Sequence, residues 1–401
     1  MKYIVFLGDG MADYKVDELG GKTPLDVANK PNIDEIASKS VAGIVTTVPT
    51  GLKPGSDVAN LSAMGYNPLE YYTGRSPLEA VSVGVPLNDD DITFRVNLVT
   101  LSDEENYEDK TMIDYSSDEI TTPEAHELIK AVAEKLDNEE YQFFPGFSYR
   151  HVLVRRKGQL TYQLTPPHSI SGRKVTEYLP KGENSDIILN FMKKSVEILK
   201  DHPVNLDRIK RGLRPATSIW VWGEGSKAVL PAFETMRGIK GGVVSAVDLI
   251  KGIAISAKLE SVDVEGATGN IHTNFEGKAQ ASIDLLKRND FVYIHVEAAD
   301  ECGHRGEIEN KVKSIELIDE KIVKPVMDYI KSTGEDYKVL IMPDHPTPLA
   351  LKDHVMDPVP FVMFDSRKEE KGVEKYNEDN CKATGLHITE GYKLMEKFIE
   401  E

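Results

Sequence analysis

The sequence predicts an α/β fold, a sheet covered by helices, with a smaller α+β domain inserted into it. Three observations carry that prediction. Short continuous apolar runs recur toward both ends of the chain, helical periodicity fills the gaps between them, and the pattern changes character in the middle.

The apolar runs lie at 3–7, 43–48, 218–222, 291–296, 339–342 and 359–364. Runs without polar alternation belong to strands buried on both faces, as in a parallel sheet between helices. Among the helical patterns, Ile33, Ile36 and Ala37 mark one helix. The stretch from Thr121 opens with Thr-Thr-Pro-Glu, a capping-box spacing, and continues with Ala125, Leu128, Ile129, Val132 and Leu136. A longer helix carries Ile308, Val312, Ile315, Ile322, Val326 and Ile330. Pro325 is expected to kink or divide it, because proline lacks the backbone donor and crowds the preceding turn. From about 94 to 179 the strand-like pieces are shorter (94–101, 151–155, 161–164), and loops rich in Asp, Pro and Gly separate them. The expected organisation is a discontinuous core domain, 1–93 and 180–401, and an inserted domain, 94–179.

Composition narrows the function. The chain has 401 residues, 40% of them apolar, which supports a proper core. A formal charge of −18 argues against a nucleic-acid surface, which needs clustered Lys and Arg. A phosphorylated ligand would then have to meet a local positive site, such as bound metal or a few arginines. Cys302 and Cys381 form no CxxC pair and suit a reducing, cytoplasmic setting. The N-terminal apolar run is five residues long and ends in Gly-Asp-Gly, too short for a signal segment. No run approaches the ~18 apolar residues of a membrane span.

Three apolar strands run into an acidic residue: Asp9, Asp300 and Asp344. In an open α/β sheet, ligands bind beyond the carboxyl ends of the strands. Three carboxylates on one edge repel each other, and a cation there turns the repulsion into binding. Histidines reinforce this. His304 stands four residues after Asp300, on the same face of a helical turn. His345 follows Asp344 directly, and His354 lies nine residues on. Mixed carboxylate and imidazole ligands suit Mn²⁺ or Zn²⁺ better than Ca²⁺.

Ser56 sits in Lys53-Pro-Gly-Ser-Asp-Val-Ala-Asn60, on a tight turn before an apparent helix start at Asp57. Helix N–H groups there would favour an anion, and a metal on the serine oxygen would make it a nucleophile. A plain N-cap serine has the same local signature. Nucleotide-binding signatures fail. Gly20-Gly-Lys-Thr23 has Val16 where a P-loop needs glycine, and Gly8-Asp-Gly10 and Gly223-Glu-Gly225 meet Asp13 and Ala228 instead of a third glycine.

Together these motifs resemble a known group. Gly8-Asp-Gly-Met-Ala-Asp13, Pro54-Gly-Ser-Asp-Val-Ala-Asn60, Tyr72-Thr-Gly-Arg-Ser-Pro-Leu-Glu79, Asp300-Glu-Cys-Gly-His304 and Asp344-His345 resemble the archaeal-type cofactor-independent phosphoglycerate mutases of the alkaline phosphatase superfamily. The likeness extends in order through His202-Pro-Val-Asn205 and Glu265-Gly-Ala-Thr-Gly269. It implies an alkaline-phosphatase-like sheet and two divalent metal ions, Mn²⁺ or Zn²⁺, with Mg²⁺ or Co²⁺ as alternatives. One metal site would comprise Asp300, His304 and His354, the other Asp9, Ser56, Asp344 and His345. Ser56 would carry the phosphoryl group between two hydroxyls of a small phosphorylated hydroxy acid, with the insertion closing over the substrate. Arg150, Arg173 and Arg305, with His151 and His168, are the candidates to bind that substrate. No nucleic-acid or membrane partner is implied. Asp344-His-Pro-Thr-Pro348 departs from the archaeal pattern, having proline where those mutases have serine. Tyr71-Tyr-Thr-Gly-Arg-Ser-Pro77 and Trp220-Val-Trp-Gly-Glu-Gly225 also resemble a bacterial branch proposed as ATP-dependent homoserine kinase. The metal and serine positions match both branches, so the phosphoryl acceptor stays open.

Overall fold

Strands form where the apolar runs stand, and their pairing decides which residues meet at the sheet edge. The computed structural model describes residues 1–368 and 370–400. In chain order the strands are β1 (Lys2–Gly8), β2 (Val41–Val45), β3 (Ile92–Leu101), β4 (Met112–Asp114), β5 (Tyr141–Phe144), β6 (Arg150–Arg155), β7 (Tyr162–Gln163), β8 (Lys181–Gly182), β9 (Ser218–Ser226), β10 (Gly241–Val244), β11 (Glu260–Val262), β12 (Phe291–Val296), β13 (Tyr337–Met342), β14 (Val359–Asp365) and β15 (His387–Ile388). The chain divides into two units, Met1–Tyr72 with Leu230–Glu401, and Thr73–Val229.

The first unit is built on a sheet of order β11-β10-β12-β1-β13-β14-β2-β15. β10, β12, β1 and β13 are parallel neighbours, whereas β14 runs antiparallel to both β13 and β2. The expectation of a parallel sheet therefore fails for 359–364, whereas β2 keeps the direction of β13 and pairs parallel with β15. A continuous apolar run reports burial on both faces and says nothing of direction. Ile33, Ile36, Ile315, Ile322, Val326 and Ile330 bury their helix faces in this core. The long helix is divided as expected: Ile308–Ile318 passes through a π-helical turn, Asp319–Val323, into Lys324–Thr333. Pro325 falls in the first turn of the last segment, where a missing N–H does least harm. The Asp319 carboxylate accepts the N–H of Ile33 at 2.7 Å and so caps the helix Pro31–Ala37, which its own N-cap Lys30 does not.

In the second unit β3 pairs antiparallel with β4, β6 and β9, and β5 adds to β6. The helices Thr122–Leu136 and Ser185–Leu199 cover this sheet through Leu128, Ile129, Val132, Ile188, Phe191 and Met192. The run 218–222, read from sequence as a core strand, is part of β9 and pairs with β3 from Val99↔Ser218 to Ile92↔Ser226. That long-range pairing makes the unit wider than 94–179, because β3 cannot be satisfied without β9. The expected capping box at Thr121 does not form. Its hydroxyl donates to Glu124 Oε2 at 2.8 Å, and Glu124 is engaged by Arg208, also at 2.8 Å.

Candidate active site

The parallel strands β12, β1 and β13 end at one edge, and each delivers polar residues there. Asp9 follows β1, Asp344 lies two residues beyond β13, and β12 leads into the helix Ala298–Arg305. Asp300 stands in the first turn of that helix and His304 in its last, with Nε2 3.3 Å from Asp300 Oδ2. The glycine of the Asp9–Gly10 turn is required. Its φ is +64°, and a Cβ would lie 2.6 Å from the Asp300 backbone.

Two groups of side chains meet there. In the first, His354 Nε2 lies 3.3 Å from Asp300 Oδ1, and the Nε2 atoms of His304 and His354 face each other at 2.8 Å. Thr347 donates its hydroxyl to Asp300 Oδ1. Burial alone would raise the Asp300 carboxyl, but the two imidazoles hold it well below the usual carboxylate range. The hydrogen bond to Asp300 in turn lifts His304 to about 9.

In the second, His345 Nε2 lies 3.1 Å from Ser56 Oγ, 3.3 Å from Asp344 Oδ2 and 3.5 Å from Asp9 Oδ1. Ser56 is the first residue of the helix Ser56–Ala63, after Gly55 at its N-cap. Asp344 Oδ1 accepts the N–H groups of Gly10 at 3.2 Å and His345 at 2.8 Å. Its Oδ2 accepts from Asn60 Nδ2 at 2.8 Å. Burial, with Asp344 and Asp300 adding to it, pushes Asp9 well above the ordinary range, and burial pushes His345 down.

This donor set fits divalent cations. Asp9 and Asp344 are fully buried and Asp300 nearly so, a costly crowding of like charge. Asp9 Oδ1 has no hydrogen-bond partner. Three overlapping groups can each hold an ion: Asp300, His304 and His354; Asp9, His295 and Asp344; Asp9, Asp300 and His345. Oxygen and imidazole nitrogen in this mixture are ligands for first-row divalent metals.

The structure thus brings together Asp9, Ser56, Asp300, His304, Asp344, His345 and His354. The other sequence-predicted residues make contacts of their own. Arg305 pairs with Glu301 at 2.5 Å. Arg150 is exposed, its guanidinium 5.6 Å over the Tyr149 ring, and Arg173 is exposed and bonds Tyr178 Oη at 3.2 Å. His151 is buried, accepts from Gly146 N at 3.0 Å and is pushed by desolvation to about 3. His168 packs on Trp222 and Tyr115, and partial burial and then Arg95 and Arg75 push it down. Sequence reasoning missed three residues. His295, fully buried, lies 3.0 Å from Asp9 Oδ2, and a lone polar residue inside the apolar run of β12 was its signal. Asn60 stands four residues after Ser56, a spacing that puts both on one helix face. Thr347 had no local signal.

A hydroxyl at a helix N-terminus, beside buried carboxylates and imidazoles at the carboxyl ends of a mixed sheet, defines the class: a metal-dependent phosphotransfer site. The family model described as 2,3-bisphosphoglycerate-independent phosphoglycerate mutase matches residues 37–205. The chain is 47% identical to the probable 2,3-bisphosphoglycerate-independent phosphoglycerate mutase of Geobacter sulfurreducens over 100% of both chains. It is 46% identical to the enzyme of that name from Methanosarcina barkeri over 98% of both. Among solved structures, the cofactor-independent phosphoglycerate mutase of Thermoplasma acidophilum superposes with a TM-score of 0.69 at 25% identity, covering 100% of this chain and 99% of the other. A protein from Pyrococcus horikoshii gives a TM-score of 0.83 at 27% identity, with 100% and 96% covered. The chain belongs to the 2,3-bisphosphoglycerate-independent phosphoglycerate mutase family. Among the described residues, no helix is long and apolar enough to cross a membrane.

Proposed function

We propose that this chain interconverts 3-phosphoglycerate and 2-phosphoglycerate without bisphosphoglycerate, by phosphoryl transfer through Ser56. The observation that carries the reading is the position of Ser56 Oγ, 3.1 Å from His345 Nε2 at the start of a helix and beside buried carboxylates. Asp300, His304 and His354 would hold one divalent ion, and Asp9, Ser56, Asp344 and His345 the other, with Mn²⁺ or Zn²⁺ suited to both. When bound, such ions lower the pKa of the serine hydroxyl and neutralise charge on the phosphoryl oxygens.

The chain's own residues do the positioning. Asn60 Nδ2 donates to Ser56 O and to Asp344 Oδ2, each at 2.8 Å, and Asn60 Oδ1 accepts from the Tyr293 hydroxyl at 2.7 Å. The serine turn and the Asp344 carboxylate are thereby tied to one amide. In the reaction, Ser56 Oγ loses its proton and bonds to phosphorus as the bond from phosphorus to the 3-oxygen breaks, and that oxygen takes up a proton. The glycerate reorients, its 2-hydroxyl attacks the phosphoserine, and Ser56 is regenerated. For the substrate carboxylate we assign Arg150 and Arg173, whose guanidinium groups are exposed, together with His168; all three lie in the chain's second unit. Arg305, paired with Glu301, and the buried His151 are the remaining candidates.

The test supplies Mn²⁺ and 3-phosphoglycerate, omits nucleotide and bisphosphoglycerate, and follows product through coupled enolase. Turnover on the order of 10 per second, lost with a chelator and in Ser56→Ala, is expected. A folded, metal-loaded chain that fails here and phosphorylates homoserine from ATP would overturn the reading.

A further inference from the structure

Three neighbouring parallel strands set one polar residue each in a row across the sheet edge. β10, β12 and β1 lie side by side, with Val244 opposite Ile294 and Leu7 opposite His295. Ser245, His295 and Asp9 therefore follow one another, and all three are buried. Ser245 Oγ lies 3.1 Å from His295 Nδ1, and His295 Nε2 lies 3.0 Å from Asp9 Oδ2. A carboxylate that ligates a cation is ionised and only accepts, so with Asp9 in that state the hydrogen between His295 and Asp9 sits on Nε2. In the neutral ring Nδ1 then accepts from the Ser245 hydroxyl. The Ser245 oxygen accepts the N–H of Val247 at 3.0 Å, which leaves its own proton free for that role. Asp9 Oδ2 is thus engaged, while Oδ1 has no hydrogen-bond partner.

We infer that His295, oriented by Ser245, is a positioning residue that presents Asp9 to a divalent cation through Oδ1 alone. This rests on the reading of Asp9 as a metal ligand. A carboxylate free to turn about its last bond can bind through either oxygen or both. An N–H fixed on Oδ2 sets the plane of the group and restricts it to one oxygen. Outer hydrogen bonds of this kind typically govern metal affinity by about 10–100-fold. The histidine otherwise has no evident place in an apolar strand, where a leucine would pack without a polar ring to satisfy.

The test compares His295→Gln, which keeps an N–H close to the position of Nε2, with His295→Leu, which keeps bulk and loses the donor. Mn²⁺ is titrated into the metal-stripped full chain against a fluorescent chelator, and thermal melting reports folding. His295→Leu should weaken one of two Mn²⁺ sites by about 10–100-fold, with His295→Gln near wild type. Ser245→Ala, a milder change, should weaken the same site and covers the case in which the leucine variant does not fold. Unchanged affinity in Ser245→Ala and in folded His295→Leu overturns the inference. Equal losses in the glutamine and leucine variants also overturn it, and make His295 a direct ligand with Asp9 and Asp344. Asp9→Asn separates the two levels. If it loses a site that His295→Leu keeps, only the positioning role fails; if it keeps both sites, the assignment of Asp9 as a ligand fails with it.

Discussion

Replacing Lys311 by methionine should destabilise the first unit by about 3–5 kcal/mol, the usual cost of removing one partner of a buried ion pair. Lys311 and Asp13 have side chains 0% and 1% exposed, with Nζ 2.7 Å from Asp13 Oδ2. The same ammonium donates to Thr347 O at 2.8 Å and Ala12 O at 3.4 Å. Methionine fills the space of the aliphatic stem, so the loss is electrostatic and not a cavity. Among the described residues, the carboxylate left in the interior then has only the N–H groups of Tyr14 and Leu349 to answer it. Exchanging Asp13 for asparagine as well removes both charges and keeps an acceptor for those amides. The double variant should therefore recover about 2 kcal/mol of the single loss. Urea unfolding followed by far-ultraviolet circular dichroism is the assay. Tryptophan fluorescence would mislead, because Trp220 and Trp222 both lie in the second unit. A single-variant loss under about 1 kcal/mol, or strict additivity in the double, would refute the reasoning.

Three further outcomes are expected. Asp300→Asn should lower bound Mn²⁺ measured by elemental analysis, since it weakens the group with His304 and His354; unchanged content would remove Asp300 from the ligands. Gly10→Ala should lower both melting temperature and bound Mn²⁺, because its Cβ would lie 2.6 Å from the Asp300 backbone; a variant indistinguishable from wild type would contradict that geometry. Glu378 is held at about 7, chiefly by burial, against an ordinary value of 4.5. A raised native value favours the protonated fold, so its contribution is full below about pH 4.5 and is lost as pH rises through 7. Glu378→Gln should accordingly flatten the fall in stability over that window, and a melting profile with the same slope as wild type would count against it.

Much of the architecture was legible because burial on both faces writes itself into a strand as an unbroken apolar run. β1, β12 and β13 were found that way, and their ends pointed to Asp9, Asp300 and Asp344. The helical turn from Asp300 to His304 was legible from spacing alone. Strand direction was not, since Val359–Asp365 has the composition of its parallel neighbours and runs the other way. Nor was the true extent of the second unit, which depends on β3 finding β9 more than a hundred residues away. Within the site, Thr347 and Ser245 escaped notice because a single hydroxyl in a loop carries no pattern; their roles exist only once distant strands are adjacent. His295 left a trace, a polar residue where the strand required none, but one histidine has no spacing to interpret.

The interruption of the first unit by residues 73–229 has a consequence for how the chain is made. β1 leaves the ribosome early, yet its two neighbours begin at Phe291 and Tyr337. At about 5–20 residues per second, the apolar segment Lys2–Gly8 waits on the order of tens of seconds for a partner. The second unit has no such delay, because β3 and β9 both lie within it and it can close as soon as residue 229 has emerged. Asp9 and Ser56 are thus synthesised first and meet Asp300, Asp344 and His354 last. Nascent chains stalled before β12 should therefore carry a folded second unit and an unpaired N-terminal strand, a hydrophobic edge that invites chaperones or aggregation. Catalytic competence arrives only after Asp300, Asp344 and His354 have been made.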